Sequence, residues 1–149
     1  MSPLPAPPDR NPPPWQQTGG KKNLLGPDRA RVDKMLADFL KAVNATYALL
    51  VSREGELITI QGERQDQIDV QMVAALAAGS FEVSKQIAKA LRKSEFAIVY
   101  EEGQTDTFQV SLVNDKTLLA VLFDQRATLG MVRLYAGKLA QQLAPILDR

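Results

Sequence analysis

Two short apolar runs limit the folds that are open to this chain of 149 residues. Residues 46–51 (TYALLV) and 118–123 (LLAVLF) consist almost entirely of apolar strand formers. A strand without a polar face has to be buried on both sides. The two runs are therefore expected in the centre of a sheet that carries helices on both faces.

Three other segments have the periodicity of helices. In residues 28–44, the apolar side chains from Val32 to Val43 fall on one stripe. A second helix is predicted from Asp69 to about Lys93, and a third begins near Leu129, where core-facing residues recur at steps of three and four. Together with the two apolar runs, these helices predict an α+β domain.

The remaining strands complete the order of elements. Residues 57–60 form a hairpin with the first apolar run, because Ser52–Gly55 supplies a turn. Strands are also predicted at residues 95–101 and near residues 107–112, where the second has one dry face (Phe108, Val110, Leu112) and one polar face (Thr107, Gln109, Ser111). The order is α-β-β-α-β-β-β-α. Short connections then favour an antiparallel five-stranded sheet of order 2-1-5-4-3, with the middle helix on one face and the terminal helices on the other.

The N-terminal residues differ from the rest in composition. Eight of the nine prolines lie in residues 1–27, which show no helical or strand periodicity. We predict a Pro-rich flexible tail over residues 1–27 and one folded domain over residues 28–149. The tail is either a solvated linker or a docking segment with Trp15 as its anchor.

Composition excludes several classes of function. The chain has no Cys and no His, so thiolate nucleophiles and the commonest general base are missing, and we predict neither an enzyme nor a cofactor or metal site. A net charge of +1 predicts no binding of nucleic acid. No apolar run is long enough for membrane insertion, and the N-terminus lacks a signal pattern, so a cytoplasmic location is expected.

The second helix begins with residues 70–79 (VQMVAALAAG), which are apolar nearly all round and small on much of the circumference. A single sheet covers only one face of such a helix. Residues 95–101 would form an edge strand without Pro or a central Lys to block pairing. Both features favour a homodimer, although the chain's own elements could instead cover these surfaces in a monomer. The residues expected at the dimer interface are Ala74, Ala75, Ala78, Phe96, Ile98 and Tyr100.

Three segments make the sequence resemble the Roadblock family, which has a profilin-like fold. They are residues 48–58 (ALLVSREGELI), residues 76–79 (LAAG) and residues 123–134 (FDQRATLGMVRL). The last is the most specific. The resemblance covers roughly residues 28–148 and is greatest to the bacterial MglB type.

The resemblance implies a homodimer that binds a small Ras-like GTPase in its GTP state. It also implies faster GTP hydrolysis without an arginine finger, because the homodimer clamps the switch regions of the GTPase. By helix position, the GTPase-binding residues are Glu82, Lys85, Gln86 and Lys89.

Other interpretations remain open from the sequence. The polar half of the second helix could be a solvated face, and the protein could be a Roadblock scaffold that binds a GTPase without stimulating hydrolysis. Arg126 is expected to pair with an acidic neighbour or a carbonyl group, and Asp124 and Thr128 are expected to be caps. A small-molecule sensor would need a cavity, whereas the pattern predicts helices over both faces of the sheet.

Overall fold

The computed structural model describes residue 24 and residues 26–148. It contains three α-helices and five strands, with a short 3-10 helix at Gln65–Gln67. The helices are α1 (Gly26–Val43), α2 (Val70–Ala90) and α3 (Leu129–Leu147). The strands are β1 (Tyr47–Ser52), β2 (Leu57–Gly62), β3 (Ile98–Glu102), β4 (Asp106–Asn114) and β5 (Thr117–Asp124). Predictions for residues 1–23, 25 and 149 fall outside the described residues, and α1 begins at Gly26, inside the predicted tail.

The sheet is antiparallel and has the order β2-β1-β5-β4-β3, as the sequence predicted. Strands β1 and β5 pair in the middle, and nearly every residue of both is buried. Their continuous apolar runs fill both faces of the sheet, which is why they take the central positions.

Two apolar clusters lie on opposite faces of the sheet. One contains Leu119 and Val121 of β5 together with the inner residues of α1 and α3. The other contains Leu118 and Ala120 of β5 together with the inner residues of α2. Helix α2 therefore lies alone on one face, and the terminal helices share the other, in agreement with the predicted α+β class.

Strand β4 differs from the prediction. Its supposed polar face is buried at the centre, because Gln109 is 0% exposed and Ser111 is also buried. These residues point away from Val110, which packs under α2, so they lie on the side of α3. The alternation of polar and apolar residues correctly predicted a strand but did not predict that the polar side chains at its centre are buried as well.

Strand β3 is shorter and later than expected. It begins at Ile98, so Phe96 lies in the connection that follows α2, although the backbone N–H of Leu112 still donates to the carbonyl of Ala97 at 3.3 Å. Because β3 pairs only with β4 in the described part of the chain, its outer edge is open, as an edge strand requires.

Candidate interaction surfaces

Helix α2 carries a stripe of exposed apolar side chains on the side that faces away from the sheet. We call this stripe the outer face of α2. Its large members are Met72 (54% exposed), Leu76 (63%), Val83 (58%) and Ile87 (49%). They follow one another at steps of four, seven and four, so they fall on one side of a helix. Large apolar residues grouped in this way mark an interaction surface.

A glycine lies within the outer face. Gly79 falls between Leu76 and Val83, and a Cβ atom built at this position meets no atom within 4 Å. The outer face therefore has a depression at its middle, where the backbone of another helix could come close. The composition of α2 indicated its small residues but not this stripe, although the spacing of Met72, Leu76, Val83 and Ile87 in the sequence is that of one helix face.

The predicted interface alanines are divided between the two sides of α2. Ala74 and Ala78 are buried against the chain's own sheet, at 0% and 6% exposure, whereas Ala75 is exposed. Ala74 and Ala78 therefore belong to the inner face of α2 and differ from the prediction. The physical reason is that small side chains let α2 approach the sheet closely, which the sequence could not distinguish from approach to a second copy.

The four predicted GTPase-binding residues lie together on one flank of α2, and all are exposed. Glu82 and Gln86 are one turn apart, and Gln86 Nε2 donates to Glu82 Oε1 at 3.1 Å. Lys85 and Lys89 are also one turn apart and lie beside them. We call these four residues the polar flank. It borders the outer face, so any partner that covers one surface comes close to the other.

The strand residues predicted at the interface lie beside the open edge of the sheet. Val99 packs with the cluster under α2, so Ile98 and Tyr100 point to the opposite side of the sheet. Phe96 and Tyr100 are 38% and 37% exposed. Ala75 lies against the β1–β2 turn, because a Cβ atom built at Gly55 would come 3.2 Å from its Cα. The structure therefore places Ala75 and the β3 residues on different faces of the sheet and shows no contact between them among the described residues.

Arg53 connects three loops near these surfaces. Its Nη2 donates to Glu95 Oε1 at 2.7 Å, and its Nη1 donates to the carbonyl oxygen of Asp115 at 3.4 Å. The guanidinium also lies 5.3 Å from the ring centroid of Phe81, on the inner face of α2. These contacts tie the connection between α2 and β3 to the β1–β2 and β4–β5 turns.

Arg126 pairs with an acidic neighbour, which confirms the expectation from the sequence. Its Nε donates to Asp124 Oδ1 at 3.0 Å, and its backbone N–H donates to the same oxygen at 2.9 Å. The side-chain hydrogen bond from Arg126, followed by the backbone hydrogen bond, lowers the pKa of Asp124. Thr128 caps α3, as expected, by accepting from the backbone N–H of Met131 at 3.3 Å. Asp124 caps a turn rather than the helix.

A groove opens on the other side of the sheet, between α3 and the β3–β4 hairpin. Its volume is about 790 Å³. The floor includes Ile98, Gln109 and Ser111, and the wall is a stripe of small residues, among them Ala136, Gly137, Ala140 and Ala144. Helices lie over both faces of the sheet, as predicted, but on this face they leave part of the β3–β4 hairpin uncovered. Two helices of about 10 Å each cover the width of about four strands, so the fifth strand extends beyond α3.

Within the described residues, no helix is long and apolar enough to cross a membrane. The same residues contain no group of three or more acidic side chains arranged to hold a metal ion.

The sequence matches the Roadblock/LC7 domain over residues 31–123. The chain belongs to the Roadblock/LC7 family. A comparison with curated proteins finds no match. Among solved structures, MglB of Myxococcus xanthus is 31% identical, with 79% of this chain and 95% of that chain covered and a TM-score of 0.74.

Two further solved structures are similar to the chain. A structure described as MglB with a tetrameric arrangement is 26% identical, with 85% of this chain and 94% of that chain covered and a TM-score of 0.79. Profilin IB of Acanthamoeba castellanii is 14% identical, with 76% and 96% covered and a TM-score of 0.58, which shows the profilin-like fold alone. The protein is thus a Roadblock-family regulator with MglB proteins among its structural neighbours.

Proposed function

We propose that this Roadblock protein is a homodimeric regulator of a small Ras-like GTPase and activates GTP hydrolysis by acting on the switch regions. The observation that carries the proposal is the outer face of α2, whose four large apolar residues are about half exposed or more and border a polar flank, on a helix that packs with its inner face against the edge strand β3. A cytoplasmic location remains a prediction from the sequence.

The apolar outer face supports self-association. Leaving four large side chains in water costs free energy that a second copy would recover, at about 25 cal/mol for each Å² of apolar area buried. A two-fold axis next to α2 would bring two outer faces together and, on the same side of the molecule, two open β3 edges. The predicted interface then consists of Ala75 and the outer face on α2, with Phe96, Ile98 and Tyr100 beside the β3 edge, whereas Ala74 and Ala78 support the interface from the inner face of the helix.

The polar flank supports a contact with the GTPase. In a dimer, two copies of Glu82, Lys85, Gln86 and Lys89 would border the buried seam, where side chains remain available for a third protein. Amide and ammonium groups there can hold flexible switch loops by hydrogen bonds and ion pairs. A partner that binds the hydrolysis-competent conformation raises its population, because it stabilises that state over the others.

An arginine finger is not part of the proposal. Arg126, the loop arginine at the start of α3, already has a carboxylate partner in Asp124, which raises the pKa of the guanidinium and holds it in place. Acceleration would come instead from ordering the groups of the GTPase that position water and stabilise charge. On this proposal, the protein acts as a regulator of the GTPase and not as an enzyme itself.

Single-turnover hydrolysis tests the proposal. A Ras-like GTPase from the same host is loaded with GTP, and the rate is measured with and without the protein. We expect stimulation, and we expect Lys85→Glu with Lys89→Glu to reduce it at least about tenfold, the effect of losing roughly 1.4 kcal/mol of interaction. Lys138→Glu is the matched control, because Lys138 is an exposed lysine on α3, away from the polar flank.

The alternative is a scaffold that binds the GTPase without changing its rate. Tight binding of the GTP-loaded protein with no change in hydrolysis would establish this alternative and reject activation. Absence of binding in either nucleotide state would reject both. If binding occurs but Gln86→Lys and the lysine variants leave it unchanged, the contact lies outside the polar flank.

A further inference from the structure

The groove beside α3 contains a buried polar group that the fold does not satisfy. Gln109 lies in the floor of the groove and is 0% exposed. Among the described residues, neither Nε2 nor Oε1 of this side chain has a hydrogen-bond partner. A buried amide without partners is costly, and such groups are rare in folded proteins. An amide requires a ligand that offers both an acceptor and a donor.

We propose that this groove is a docking site for the N-terminal tail of the same chain, with Trp15 and the prolines before it as the bound segment. The groove is lined largely by small apolar side chains, including Ala136, Ala140 and Ala144, which leave room for an extended chain. This inference goes beyond the proposed function, because the groove lies on the face of the sheet opposite α2 and only Ile98 in its floor also belongs to the proposed dimer interface.

The chemistry of residues 9–15 (DRNPPPW) fits the groove. The three prolines have carbonyl groups that accept hydrogen bonds but no N–H groups that compete, so they are suited to Gln109 Nε2. Asn11, which precedes these prolines, offers N–H donors for Gln109 Oε1. The indole ring of Trp15 would also cover apolar surface that is now open to water.

The tail leaves the domain at the correct end of the sheet. Because α1 ends at Val43 and leads into β1, its first residue lies at the opposite end, near the β1–β2 turn. The β4–β5 turn is at that end too, since Arg53 N–H donates to the carbonyl of Lys116 at 3.1 Å. Asn114 Nδ2 donates to Asp148 Oδ1 at 2.6 Å, which places the end of α3, and one end of the groove, there as well.

The lengths also agree. Crossing from α1 over α3 to the groove takes two helix spacings, about 20 Å. Trp15 is eleven residue steps from Gly26, and such a segment can span about 34 Å in a polyproline-type conformation, so Trp15 can reach the groove. The groove runs along α3 from Arg133 to Asp148 for about 22 Å, which is the length of roughly seven extended residues. With Trp15 at the Asp148 end, Asp9 comes to Arg133, a residue of opposite charge.

Fluorescence tests the proposal directly, because Trp15 is the only tryptophan of the chain. In the full-length protein we expect emission at shorter wavelength and weaker quenching by acrylamide than in a synthetic peptide of residues 1–25. Ala140→Glu blocks the groove and should restore the behaviour of the peptide. Gln142→Glu is the control, because it places the same side chain on the other side of α3, among residues that face α1.

Two milder variants test the recognition itself. Gln109→Leu should weaken docking about tenfold, as expected for lost hydrogen bonds. Asp9→Arg should weaken docking, and adding Arg133→Asp should restore it. Circular dichroism of each variant verifies folding, and the charge pair keeps the test decisive if Ala140→Glu does not fold.

Four results would overturn the proposal. The first is a Trp15 that is as exposed in the full-length protein as in the peptide. The second is a buried Trp15 that none of the groove variants affects, which places the tail elsewhere. The third is burial that is lost on dilution and reappears with concentration, which identifies a second copy as the occupant. The fourth is Trp15 fluorescence that stays unchanged in both Gln109→Leu and Asp9→Arg. The tail would then not contact the amide of Gln109, and only water could satisfy that amide.

Discussion

At the scale of single residues, Gly62 at the end of β2 shows how one position constrains the first hairpin. Its φ is +139°, and a Cβ atom there would lie 2.5 Å from Cδ1 of Tyr47 and 2.6 Å from the carbonyl oxygen of Thr46. Gly62→Ala should therefore destabilise the protein by about 2–3 kcal/mol, from strain and displacement of β1. Urea unfolding measures the change. Gly137→Ala is the control: its Cβ meets no atom within 4 Å, so a gain of roughly 0.5–1 kcal/mol is expected.

Asp124 gives a prediction about pH at the same scale. The hydrogen bonds from Arg126 hold the pKa of its carboxyl below the ordinary value of 3.8. A lowered folded-state pKa means that the charged form contributes stability above pH 3.8 and that this contribution is lost as pH falls through the lowered pKa. The melting temperature of Asp124→Asn should accordingly lie below that of the wild type at neutral pH and converge with it in acid. A constant difference down to the lowest pH would contradict this assignment.

At the scale of elements, Arg53 determines how firmly the connection after α2 is held. Its ion pair with Glu95 joins side chains that are 22% and 34% exposed, and its guanidinium lies over Phe81. Arg53→Ala should cost about 1 kcal/mol and increase hydrogen exchange in residues 92–97. Lys34→Ala is the control, because its pair with Asp38 is 76% and 61% exposed and should contribute under about 0.5 kcal/mol. Equal exchange in the two variants would show that Arg53 does not hold this connection.

The sequence predicted most elements because their periodicity and their burial agree. The continuous apolar runs of β1 and β5 identified the central strands, and the three helical stripes identified the helices. It could not place Gln109, because a strand pattern records alternation but not how far a distant helix extends across the sheet. It could not divide the alanines of α2 either, since a small residue allows close approach to the chain's own sheet and to another molecule alike. The location of the polar flank could be predicted from helix position, whereas the identity of the protein that binds it could not.

At the scale of the whole molecule, each face of the sheet leaves a different surface without a covering element. On one face, α2 covers the sheet and leaves its own outer face in water. On the other, α1 and α3 leave the β3–β4 hairpin partly open. The outer face of α2 consists of large apolar residues around a low centre, whereas the groove has small residues around a buried amide. A large flat apolar surface suits another folded copy, and a narrow groove suits an extended chain.

Leu76 tests the assembly of the molecule without affecting its core, because it is 63% exposed in the single chain. In the proposed dimer it lies at the centre of the contact, so Leu76→Glu should weaken association by about 30-fold or more, as expected for at least 2 kcal/mol at an interface hot spot. Sedimentation equilibrium should then show a monomer, and the melting temperature should lose its dependence on concentration. Leu134→Glu makes the same change at a leucine of α3 that is 52% exposed, and it should leave the dimer intact. If Leu134→Glu separates the subunits and Leu76→Glu does not, the copies meet through α3, and the polar flank of α2 is not at the dimer seam.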